Sequence, residues 1–236
     1  MKKRTKLRDR VLPDYTRSEE IFHMVSHISG GAFAYSALVV CVAVAAYHRS
    51  GWGIAGGIVY GTTMILLYTM SSIYHGLIPE NPKKVFQIID HCAIFFLIAG
   101  TYTPIAFGPL RLAHPYVAWG MFAFMWVVCA LGVTLNAIDL KKFQAFSLIC
   151  YVGMGWSMVI FVRQLLDVMP LSDFLWLLSG GLSFTIGAVL YMLGKKFRMR
   201  YMHSVYHLFV VLGSVLQFVC ILKTLSNESN NLNFYI

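Results

Sequence analysis

Runs of about twenty apolar residues recur seven times along the 236 positions, and this recurrence constrains the fold more than any other feature. Each run is long enough to cross about 30 Å of hydrocarbon as a helix. They fall at residues 28–47, 52–77, 85–107, 116–136, 143–162, 174–193 and 202–222. Only Pro104 lies inside a run, near its end, where it is expected to kink or stop the helix. Charged residues make up 12% of the chain, against roughly 25% in soluble domains, so no single core can hide the apolar remainder. The expected fold is an all-α membrane protein, a seven-transmembrane helix bundle at 18–223. A basic arm at 1–17 precedes it and a short polar tail at 224–236 follows.

The net charge of +9 would suggest nucleic acid in a soluble chain, but its distribution points to a membrane. Seven basic residues precede the first run: Lys2, Lys3, Arg4, Lys6, Arg8, Arg10 and Arg17. With Lys83, Lys84, Lys141, Lys142, Lys195, Lys196, Arg198 and Arg200 they place fifteen basic residues on one side of the membrane. Arg49, Arg111, Arg163 and Lys223 place four on the other. By the positive-inside rule the N-terminus is cytoplasmic and the C-terminus outside, and membrane lipids rather than nucleic acid are the expected partners. The first run is expected to be a retained helix, because its leader carries Asp9, Asp14, Glu19 and Glu20 and the run is long for a signal peptide. Cys41, Cys92, Cys129, Cys150 and Cys220 sit within apolar runs without CxxC spacing and read as buried free thiols.

Ionisable residues at membrane depth are costly, so those that occur imply a partner or a function. His27 opens the first run, Ser71 and His75 close the second, Asp90 and His91 lie early in the third, and His203 and His207 open the seventh. The alternating topology puts all of them near the cytoplasmic face. His203 and His207 are four apart, as are Ser71 and His75, so each pair shares a helix face. Two histidines from one helix and one from another make a three-nitrogen site with an open fourth position, the arrangement of catalytic zinc. Asp90 is then free to orient or deprotonate a water that the ion acidifies. Plainer readings stand beside this one. His75 can cap its helix at the membrane surface, Asp90 can neutralise Lys83 or Lys84, and Ser71 can bond back to the carbonyl four residues earlier.

Four blocks occur in order: EEIFHMVSH from Glu19 to His27, SSIYH ending at His75, IIDHCAIFFLIAGTYTP around Asp90, and HSVYHLFVVLGS from His203. Together they resemble the bacterial hemolysin III branch of the progestin and adipoQ receptor (PAQR) family, over about residues 17–223. The resemblance implies a multi-pass protein of the bacterial inner membrane, with zinc held near the cytoplasmic face by His75, His203 and His207. It places Ser71 and Asp90 beside the ion, with a water between metal and carboxylate. Related membrane proteins, the alkaline ceramidases among them, cleave lipid amides, so a metal-dependent lipid amide hydrolase is the first expectation. In that expectation Asp90 and Ser71 are catalytic, and Glu20 and His27 are supporting or entrance residues without a settled role. A cytolytic pore, or a receptor or sensor with structural zinc, are the alternatives. Two positions depart from the family pattern: His23 stands where bacterial relatives carry Asn, and Gln217 where a histidine is expected.

Overall fold

The computed structural model describes residues 4–235, and the side chains of residues 4–227. After a 3₁₀ turn at Leu7–Asp9, the described residues form helices α1 (Arg17–Tyr47), α2 (Gly51–Gly76), α3 (Glu80–Phe107), α4 (Pro109–Ala113), α5 (Pro115–Ile160), α6 (Val162–Val168), α7 (Leu171–Phe197) and α8 (Met202–Tyr235). Six of these are long and apolar enough to cross a membrane. Neighbours in sequence pack against each other (α1 on α2, α2 on α3, α3 on α5, α7 on α8), and α8 returns to α1 to close the bundle. Helix α8 is helical through the segment expected to be a polar tail.

Helix α1 begins eleven residues before the apolar run, and its cap explains why. Thr16 Oγ1 accepts the Glu19 N–H, and the Glu19 carboxylate accepts the Thr16 N–H at 2.8 Å. This is a capping box, which satisfies two otherwise orphaned donors and starts the helix while the sequence is still polar. The same carboxylate accepts the Tyr201 N–H at 2.8 Å and an Arg200 N–H at 3.4 Å, tying the start of α1 to the connection before α8. That connection carries two positive φ angles, at Arg198 and Tyr201.

Pro104 sits in the last turn of α3, which runs on past it to Phe107, so the proline lies close to the helix end without itself being the terminus. Gly56 of α2 lies against it, and a Cβ there would stand 2.7 Å from the Pro104 Cα. The helix pair can therefore approach at the proline only because residue 56 has no side chain.

Helix α5 is two helices joined at Asp139, whose φ of −160° and ψ of 91° are extended. Asp139 caps the second half by accepting the Lys142 N–H at 3.1 Å. Ser147 donates to Asn136 at 2.6 Å and the Asn136 amide donates to Tyr151 at 3.4 Å, so the halves meet on either side of the bend. Both halves also bond to α3: Trp126 donates to Thr103 at 3.2 Å, and Tyr151 to the His91 carbonyl at 2.7 Å.

All five cysteines are unpaired, as expected, and four are buried. The far end of the bundle is held by a buried Asp173 paired with Lys223 at 3.1 Å. Gln217 is also buried, with Gly180 of α7 against its side chain.

Candidate metal centre

The N-termini of α1, α3 and α8 and the C-terminus of α2 meet at one end of the bundle. Glu20, His23 and His27 are spaced three and four apart on α1 and so share one face. His75 lies in the last turn of α2, and His203 and His207 on successive turns of α8. The five imidazoles form one cluster. Ring centroids are 4.6 Å apart for His23–His75 and for His23–His203, 4.5 Å for His203–His207, and 3.8 Å for His27–His207, which are stacked.

His23, His75 and His203 each offer a ligand atom, and those three atoms lie within 4.8 Å of one another. His207 adjoins the group through His203, Nε2 to Nε2 at 3.1 Å. Two imidazole nitrogens bound to one tetrahedral zinc at about 2.0–2.1 Å lie about 3.3 Å apart, so this spacing already suits a shared ion.

The hydrogen bonding makes the stronger case. Six buried side-chain polar atoms among the described residues lack a hydrogen-bond partner, and five are nitrogens of this cluster: His23 Nδ1, which has only a Glu20 oxygen at 3.9 Å, His75 Nε2, His203 Nδ1 and both nitrogens of His27. Buried polar atoms in folded proteins are almost always satisfied, so such a concentration marks a place built for a ligand. His75 Nδ1 lies 2.6 Å from a Glu20 oxygen, whose other oxygen binds Lys83 Nζ at 2.9 Å. A carboxylate at Nδ1 holds the proton there and leaves the Nε2 lone pair free for a cation, the usual outer partner of a metal-binding histidine. His23 Nε2 contacts Ser204 Oγ at 3.0 Å and His207 Nδ1 contacts Ser26 Oγ at 3.4 Å, which orients two more rings.

The remaining expected residues lie around this core. Ser71 is buried one turn before His75, and the bond back to a preceding carbonyl is made by Ser72 instead, to Tyr68 at 2.7 Å. Asp90 is largely buried on α3, 3.6 Å from His91 Nδ1. No hydrogen bond joins Asp90 to an imidazole of the cluster among the described residues. Lys83 and Lys84 pair with Glu20 and Glu80, so neither depends on Asp90. His27 lies within the cluster, edge-on to Tyr68 at 5.1 Å. Tyr15, ahead of the α1 cap, completes the surround. Burial, then the neighbouring phenols of Tyr191 and Tyr74, raise its pKa far above the usual tyrosine value and keep it neutral.

His23 was absent from the expected ligand set. The sequence nonetheless carries the signal for it. Thr16 and Glu19 have capping-box spacing, and a helix starting there puts His23 and His27 four apart, as in the pair on α8.

Fold and site together define a multi-pass helical membrane protein with a buried histidine cluster at one end. The sequence matches the haemolysin-III related family over residues 15–218. It is 32% identical over 204 residues to Hemolysin-3 of Bacillus cereus, covering 86% of this chain and 90% of that one. It is 33% identical over 208 residues to the Hemolysin-3 homolog of Bacillus subtilis (strain 168), covering 88% and 95%. The chain belongs to the haemolysin-III related family. No solved structure matches it.

Proposed function

We propose that the cluster holds a zinc ion and that the protein is a zinc-dependent hydrolase of lipid amides, built on seven membrane crossings with the site at the cytoplasmic face of the bacterial inner membrane. The observation that carries the reading is the set of partnerless, buried imidazole nitrogens, one of them oriented by Glu20. His75, His203 and His207 are the proposed ligands; the group whose ligand atoms converge is His23, His75 and His203, so His23 is a further candidate and His207 joins through His203. Zinc in such a site supplies Lewis-acid polarisation of a carbonyl and lowers the pKa of a water to about 7. Glu20 fixes the His75 tautomer and offsets the ion's charge. Asp90 accepts the proton of the attacking water, and Ser71 donates a hydrogen bond to the oxygen on which charge develops. A long-chain amide or ester is the proposed substrate class, because the surroundings are apolar and the resemblance extends to enzymes that cleave lipid amides.

One observation favours a second reading, a sensor with non-catalytic zinc. Four imidazoles, those of His23, His75, His203 and His207, crowd the same point, and a closed four-ligand shell leaves no position for a water. A pore is the least favoured reading, since no ring of charges falls in the middle of the apolar runs.

Elemental analysis of the purified protein tests the common premise: one zinc per chain is expected, lost when His203→Ala and His207→Ala are combined. Asp90→Asn then separates the readings. Retained zinc with abolished ceramide hydrolysis supports the enzyme. No turnover by the wild type, with Asp90→Asn fully functional in cells, supports the sensor. A wild-type protein that binds no zinc overturns both.

A further inference from the structure

The described part of the basic arm lies across the histidine end of the bundle rather than trailing from it. Thr5 N–H donates to Asp139 at 2.7 Å, Arg4 Nε to the Ile138 carbonyl at 2.8 Å, and Lys84 Nζ to the Arg8 carbonyl at 3.2 Å. Arg10 is buried, and the Asp139 carboxylate acts on it. The chain then runs without regular structure to the α1 cap, bringing Tyr15 over the cluster. The Tyr15 ring lies flat on His203, with centroids 5.1 Å apart and planes 2° from parallel. It also stands edge-on to His23 at 5.0 Å and 6.2 Å from His75. One arm side chain thus covers all three histidines whose ligand atoms converge.

A cavity of about 350 Å³ lies beside this ring, bounded by Val11, Pro13 and Tyr15 of the arm and by Tyr191, Met202 and His203 of the bundle. Six waters occupy roughly 180 Å³ at about 30 Å³ each, so a hydrated divalent cation fits. The arm is held by a few polar contacts near its start, and Val11 is 86% exposed. A segment with few buried apolar contacts opens locally at low cost while the bundle stays folded.

We propose that residues 11–16 are a removable cap on the histidine site, with Tyr15 as its plug, and that the metal ion enters and leaves through this cavity at the aqueous end of the bundle. The access route rests on the reading of the histidines as ion ligands; the cap itself does not.

Two readouts on the purified full-length protein separate these claims. In metal-free protein, carbethoxylation of His23 and His203 is followed by mass spectrometry. In zinc-loaded protein, the rate of extraction by a chelator is measured. Tyr15→Ala is expected to raise both rates about tenfold, the scale of losing two aromatic contacts, while Tyr15→Phe keeps the ring and the wild-type rates. Equal labelling of Tyr15→Ala and wild type overturns the cap. Faster labelling with unchanged extraction overturns the access route. A wild-type protein that takes up no zinc overturns the ion reading and the route with it, and the labelling still decides the cap.

Discussion

At the scale of single residues, Glu20 ties three helices together. Its two oxygens join a histidine from α2 to a lysine from α3, at 2.6 and 2.9 Å, from a position on α1. Burying a carboxylate is costly unless it is paired and hydrogen-bonded, and here both conditions are met. Lys83 is tied down further by the carbonyls of His75 and Leu77, at 3.4 and 3.1 Å. Replacing the carboxylate by an amide keeps a hydrogen-bond acceptor for His75 Nδ1 but removes the charge that favours a cation at Nε2. Glu20→Gln should therefore weaken zinc binding by about ten- to a hundredfold, the usual effect of losing a partner behind a metal ligand. Competition with a chromophoric chelator measures this directly. An unchanged affinity would mean that Glu20 serves Lys83 and the fold rather than the ion.

At the scale of elements, the α1 cap links stability to the site. Thr16→Ala removes the side-chain half of the capping box and should cost about 1 kcal/mol. A lower denaturation midpoint in detergent would show it. An unchanged midpoint would mean that the Glu19 bonds to Tyr201 and Arg200 hold the helix end unaided. The same cap shows how far the sequence could be read. Runs of apolar residues located the helices, and the costly polar residues near their ends pointed to the right end of the bundle. His203 and His207 were legible because their spacing is local. Apolar runs mark lipid-facing composition and not helix, so polar helix ends fall outside them. The first apolar run accordingly begins at residue 28, well inside α1, and His23 lies outside it. The contacts of Glu20 with His75 and Lys83 join residues more than fifty positions apart, and no local spacing encodes them. The arm was legible only as charge. That Arg10 is buried and Tyr15 covers the histidines depends on the tertiary contacts of residues 4–16.

At the scale of the whole molecule, α5 decides the topology. At 1.5 Å per residue, its 46 residues would extend about 69 Å if straight, more than twice the hydrocarbon thickness. The extended residue Asp139 and the Ser147–Asn136 bond instead argue for two crossings, with the bend at the same end as the arm it anchors. Two crossings bring the total to seven and put Arg111 and Arg163, which flank α5, on the same side of the membrane. A single crossing puts them on opposite sides. The basic-residue count also assigns that shared side to the exterior and Lys142 to the cytoplasm. Single cysteines introduced as Arg111→Cys, Lys142→Cys and Arg163→Cys, in a background whose five native cysteines are replaced, can be treated with a membrane-impermeant maleimide. On intact spheroplasts the first and third should react and the second should not. In inside-out vesicles the pattern should reverse. Labelling of positions 111 and 163 from opposite faces would show that α5 crosses once, which would put His203 and His207 across the membrane from His23 and His75 and overturn the shared site.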